Sequence, residues 1–115
     1  MQTLIIEVAS EEEALAQAIA TVESNQPQPP RYLFDSDEAL LNTLTGNRFA
    51  ILKALCGSGA ISIGELARRV KRDPTEVQAD AERLSAIGLI DKTETGDLHF
   101  PYAGLHLELD WRSAA

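Results

Sequence analysis

Branched apolar residues crowd positions 2–8 (Gln-Thr-Leu-Ile-Ile-Glu-Val), which predicts a strand. The spacing then changes. Leu15, Ala18, Ile19 and Val22 recur at i, i+3, i+4 and i+7, the stripe of a helix. Its residues are mostly small, so this helix is expected to bury little and to lean on a neighbour. Tyr32-Leu33-Phe34 is a short extended apolar piece. Leu40, Leu41 and Leu44, then Phe49, Leu52 and Leu55, give the inward faces of two further helices. Ile63, Leu66, Ala67 and Val70 repeat the helical spacing over 62–70, and Val77, Ala81, Leu84 and Ile87 do so over 74–87. Residues 89–94 and 98–100 read as two strands around a Thr95-Gly96-Asp97 turn. Leu105, Leu107, Leu109 and Trp111 alternate with His106, Glu108, Asp110 and Arg112, a last strand with one apolar face.

Polar residues punctuate this pattern. Ser10 with Glu13, and Ser62 with Glu65, have capping-box spacing. Asp73 is a good N-cap and Pro74 suits the first helical position, with Glu76 expected to return to the Asp73 amide. Gly57-Ser58-Gly59 and Gly88 end helices. The three prolines in 25–30 predict a stiff linker, dividing the chain into a strand–helix arm and linker (1–30) and a main domain with a C-terminal strand (31–115). Within that domain, two helices joined by the tight turn Lys71-Arg72-Asp73 make a helix-turn-helix. A hairpin follows at once. The expected fold is therefore α+β: a winged helix-turn-helix with a three-helix core and a β-hairpin wing. The strands near the two termini are expected to pair, within one chain or across a dimer.

Composition adds little to this until charge is placed along the chain. With 115 residues, 44% hydrophobic, there is material for one modest core. No apolar run reaches membrane-spanning length and the start is not a secretory signal, so no membrane partner and a cytoplasmic location are expected. The net charge of −8 opposes nucleic-acid binding, but its distribution does not. Residues 1–40 hold eight acids against one base. Residues 41–72 hold six bases (Arg48, Lys53, Arg68, Arg69, Lys71, Arg72) against one acid. Cys56 is expected to be a buried packing residue, and His99 and His106 exposed strand positions; neither these nor the glutamates at 11–13 form a metal or catalytic set. No cofactor and no enzymatic activity are expected.

The segment Ile61-Ser62-Ile63-Gly64-Glu65-Leu66-Ala67-Arg68-Arg69-Val70 resembles the "SI-ELAR-L" helix of winged helix-turn-helix regulators. Arg72-Asp73, Val77, Asp80, Leu84 and Gly88-Leu89-Ile90 resemble the run that follows it. Leu44-Thr45, Asn47-Arg48 and Pro101-Tyr102 extend the likeness over about residues 33–110. The chain thus resembles the MarR-like predicted DNA-binding proteins of archaea and bacteria, some described as antitoxin components. The resemblance implies a transcription regulator that binds double-stranded DNA as a homodimer, with a toxin protein as the partner in the antitoxin case. Two departures stand out. Where the family usually has a turn glycine this chain has Lys71, and the recognition-helix positions that are often basic or amide in the family read Thr75, Glu76, Gln78 and Ala79, with no base among them.

In a helix-turn-helix the second helix enters the major groove by its N-terminal end. Gln78 is then the candidate for base contact, as its amide pairs with adenine. Thr75, Ala79 and Arg83 share its face. Arg68, Arg69, Lys71 and Arg72 are candidates for phosphate contact, although cations at a helix C-terminus are also stabilising in their own right. Arg48 is as readily structural, and Asp80 and Arg83 are expected to form local helix pairs. Lys92 is the wing's base, among Asp91, Glu94 and Asp97. The rival reading is a winged-helix protein-interaction module without DNA binding, favoured by the acidity of the 74–87 helix and of the whole chain. The acidic stretch 1–40 would suit a basic partner.

Overall fold

The computed structural model describes residues 2–109. Strand β1 (Thr3–Val8) leads into helix α1 (Glu11–Ser24) and returns as β2 (Arg31–Phe34). Helices α2 (Asp37–Thr43), α3 (Gly46–Leu55), α4 (Ile63–Val70) and α5 (Pro74–Ala86) follow, then the short strands β3 (Asp91–Lys92) and β4 (Leu98–His99), and β5 (Gly104–Glu108). Helices α3, α4 and α5 pack on one another, and β3 and β4 pair antiparallel beside them. This is a winged helix-turn-helix, as the hydrophobic pattern predicts.

The terminal strands pair within the chain. The sheet order is β2-β1-β5, all parallel, with Ile6 beside Tyr32 on one side and Leu107 on the other. Segments from either side of residue 30 therefore share one sheet. Alternation sends Leu4 and Ile6 into the same buried cluster as Leu40, Leu52, Leu84 and Phe100. On the opposite face the buried Glu7 carboxylate accepts a hydrogen bond from Arg31 at 2.9 Å, which offsets the cost of taking a charge out of water. Trp111 and Arg112 lie outside the described residues.

Several sequence expectations need correction. The stripe of α1 does not lean on a neighbour: the helix has no buried residue, and Leu15, Ile19 and Val22 face outward. Leu89 and Ile90 are buried but precede the strand, which begins at Asp91. Cys56 is half-buried at the end of α3, and burial pushes its thiol pKa up. The wing gains an anchor that the pattern did not suggest. Ile61, just before α4, exchanges backbone hydrogen bonds with Leu98 at 2.9 and 2.7 Å. A second anchor is the Tyr32 hydroxyl, which donates to the Ile87 carbonyl at 2.8 Å and ties β2 to the end of α5.

Helix ends follow side-chain chemistry closely. Ser10 and Glu13 form the full capping box. At α5 the Gly88 φ of 84° allows the Leu89 amide to reach the Leu84 carbonyl at 3.0 Å, a Schellman closure. The same closure ends α4, where the Arg72 amide donates to the Ala67 carbonyl at 3.1 Å, but here the left-handed residue is Lys71 at φ 58°. A side chain at such a position costs about 1 kcal/mol relative to glycine. Lys71→Gly is thus expected to raise the urea midpoint, by a stabilisation of about 0.5–1 kcal/mol. An unchanged or lower midpoint would show that the lysine side chain makes compensating contacts.

Candidate nucleic-acid interface

Helix α5 is positioned by one buried row and presents another. Val77, Ala81 and Leu84 are buried, while Thr75, Gln78, Ala79, Glu82 and Arg83 are exposed on the far side. This follows from period 3.6, which separates the two rows by half a turn. Asp73 is the N-cap and Pro74 opens the helix, as expected, but the expected Glu76 contact is not made. Asp73 accepts from the Thr75 amide at 2.8 Å, and Glu76 does not return to the Asp73 amide but faces Arg72 at 3.8 Å. The Gln78 amide donates to Glu82 at 3.3 Å.

The cations are largely spoken for within the chain. Ser62 caps α4 by accepting from the Glu65 amide, but the Glu65 carboxylate does not complete a capping box. It accepts instead from Arg68 Nε at 2.9 Å and Arg69 Nε at 3.0 Å. Those two guanidiniums hold the Glu65 pKa down to about 2 from an ordinary 4.5. With its folded pKa depressed, whatever Glu65 adds to stability is present above the ordinary value and lost as pH falls toward 2. The pair is exposed, with the Arg68 side chain 71% accessible, so phosphate can compete for both arginines.

Arg72 is held differently. Asp80 accepts from Arg72 Nη1 and from Arg48 Nε, both at 3.0 Å, and Arg48 Nη1 also donates to the Thr43 carbonyl at 2.8 Å. All three side chains are about four-fifths covered. The pairs expected to be local to α5 are thus tertiary at Asp80, joining α3, the turn and α5. Arg83 makes no ion pair among the described residues.

The candidate residues fall into two neighbouring patches. Arg68, Lys71 and Arg72 line a shallow groove of about 490 Å³ with Asp73 and Pro74 at the helix-turn-helix bend. Gln78 and Lys92 line a cleft of about 480 Å³ between α5 and the wing, floored by Ile63, Ala81 and Leu98. Arg69 lines neither, and Thr75, Ala79 and Arg83 stand on the open face of α5. The wing turn is closed by Thr93, whose amide donates to the Asp97 carbonyl at 2.8 Å and whose hydroxyl accepts from the Asp97 amide at 3.0 Å. Sequence reasoning missed the Glu65 sink, although Arg68 and Arg69 at i+3 and i+4 were the signal for it. It had no signal for the Arg48–Asp80–Arg72 clamp, whose members are distant in sequence.

No helix among the described residues is long and apolar enough to cross a membrane. No curated protein sequence matches the chain. Among solved structures, it is similar to a multiple antibiotic-resistance repressor (MarR) from Listeria monocytogenes, with 16% identity and a TM-score of 0.46 over 80% of this chain. The chain spans 64% of that repressor's length. The family model HVO_A0114 matches residues 43–107, more than half of the sequence, and the chain accordingly belongs to the HVO_A0114 family.

Proposed function

We propose that the chain is a sequence-specific DNA-binding transcription regulator that reads the major groove with α5. The observation that carries this reading is the exposed row Thr75, Gln78, Ala79 and Arg83 on the second helix of the motif, with Lys71 at its entrance and the wing beside it. Gln78 supplies base contact, and Thr75 and Ala79 suit a thymine methyl. Arg68, Arg69, Lys71 and Lys92 supply phosphate contacts. Arg72, among the sequence candidates, acts by fixing the turn. Arg83 adds the far end of the face. A homodimer would set two such helices into successive half-sites. In its narrower form the proposal is an autorepressing antitoxin with a toxin partner, supported only by the resemblance over residues 33–110.

The test is fluorescence anisotropy against the gene's own upstream DNA and a scrambled duplex at two salt concentrations. Preference for the upstream duplex, weakening steeply with salt, is the expected result. Absence of binding at low salt removes the proposal and leaves the protein-docking reading. That second reading is favoured by a specific feature: Arg68, Arg69 and Arg72 are already paired with acids of the chain itself, and Glu76 and Glu82 stand on α5.

The two readings part at Glu65. Glu65→Gln keeps the Ser62 cap, which uses the backbone amide, and releases Arg68 and Arg69. A DNA reader is expected to bind several-fold tighter, on the order of 3- to 10-fold, with a steeper salt slope. A docking module would show no DNA binding with either residue.

A further inference from the structure

Helix α1 carries its polar and apolar faces the opposite way round from a helix folded onto its own core. Gln17, Ala20, Thr21 and Ser24 share a groove with Gln28 and Arg31, so the polar side is turned to the chain. The apolar side points to solvent: Leu15 is 62% exposed, Ile19 50% and Val22 80%. Singly exposed apolar residues are ordinary, but three large ones on consecutive turns of one helix mark an interaction surface.

The charges bordering this stripe say what covers it. Glu11, Leu15, Ile19 and Glu23 lie at successive i, i+4 positions, a single ridge with an acid at each end and two apolar residues between. The two acids are about 18 Å apart along the axis. Glu12 lies beside the stripe as well, and α1 has no basic residue. Arg31, the sole base in residues 1–40, is held by Glu7. A second copy packing its own α1 ridge on this one would set Glu11 against Glu23 when antiparallel, and each acid against itself when parallel. Like charges meet at both ends in either arrangement. DNA, with its phosphates, is excluded for the same reason.

We propose that the outer face of α1 docks a basic amphipathic helix of a different protein, whose apolar residues cover Leu15, Ile19 and Val22 and whose cations meet Glu11 and Glu23. This surface is separate from α5 and the wing. The proposal holds whether or not the chain binds DNA.

The test uses the full chain and a labelled synthetic 18-residue helical peptide with a leucine stripe and lysines at both ends. A control of identical composition has the stripe scrambled. The striped peptide is expected to bind at least about tenfold tighter than the control, the difference reflecting apolar burial and not charge. The variant L15S/I19S/V22S is expected to abolish that difference. None of these side chains is buried, and an unchanged circular dichroism melt verifies folding. E11K/E23K is expected to lose the lysine-ended peptide and gain a glutamate-ended one. Equal affinity for striped and scrambled peptides overturns the proposal. So does a dimer in light scattering that L15S/I19S/V22S reduces to a monomer, because a second copy would then be the occupant. Upstream-DNA anisotropy, measured on the same variants, is expected to be unchanged, which separates failure here from failure of the DNA reading.

Discussion

Asp80→Ala is expected to destabilise the fold by about 2–4 kcal/mol, lowering the urea midpoint by roughly 1–2 M. Asp80 is the shared acceptor of Arg48 and Arg72, each at 3.0 Å, and all three side chains are mostly covered. Removing the acid leaves two partly desolvated cations facing each other, with only the Thr43 carbonyl left to Arg48. A fully buried pair broken on one side costs about 3–5 kcal/mol, and the residual exposure here lowers that figure. Glu82→Ala, on the exposed face of the same helix, is the control and is expected to stay within about 0.5 kcal/mol. A loss below about 1 kcal/mol at Asp80 would mean that the clamp behaves as a surface ion pair. The clamp spans α3, the turn after α4 and α5, so it sets the angle at which α5 leaves the protein. Under the proposed DNA reading, Asp80→Ala is therefore also expected to weaken DNA binding under conditions where the variant remains folded. Charge reversal at Arg72 is a poor probe of phosphate contact for the same reason.

If the proposed DNA reading holds, Arg68→Gln with Arg69→Gln is expected to lower DNA affinity on the order of 10- to 100-fold at 0.1 M salt and to reduce the salt slope by about 2. Both residues lie on the open side of α4, tied to Glu65 alone, and neither is part of the core. Their removal should leave the melt nearly unchanged while freeing the Glu65 carboxylate, which adds repulsion toward phosphate. Anisotropy titrations from low to moderate salt give the slope directly. An unchanged slope with unchanged affinity would remove these two arginines from the interface and leave Lys71, Arg83 and Lys92 as its cations. The opposite sign expected for Glu65→Gln makes the two experiments a matched pair: one deletes the cations, the other unmasks them.

The helix-turn-helix was legible in the sequence because its determinants are local. Ser62, Asp73, Pro74 and Gly88 fix helix ends through caps and backbone conformation, and the rows Leu66–Ala67–Val70 and Val77–Ala81–Leu84 fix which sides face inward. The left-handed turn at Lys71 was foreseeable too, since α4 must close within three residues of the start of α5. The candidate interface was legible only as a set of positions. Its electrostatics were misread where one acid had two uses: Glu65 has capping-box spacing toward Ser62 and ion-pair spacing toward Arg68 and Arg69, and the second prevails because two guanidiniums outweigh one amide.

The sequence by itself determined the helices, their N-cap residues, the buried faces of α3, α4 and α5 and the order that makes a winged motif, all of which rest on contacts within a few residues; it misjudged α1 and Leu41, which is 50% exposed. Only the tertiary structure decided that β1 lies between β2 and β5, that Ile61 anchors the wing and that Tyr32 closes the end of α5. It also decided that Asp80 gathers Arg48 and Arg72, and that α1 turns its apolar stripe outward. Each of these joins residues far apart in the chain. Periodicity tells which side of an element is apolar, but the partner that side meets is set by packing of the whole chain.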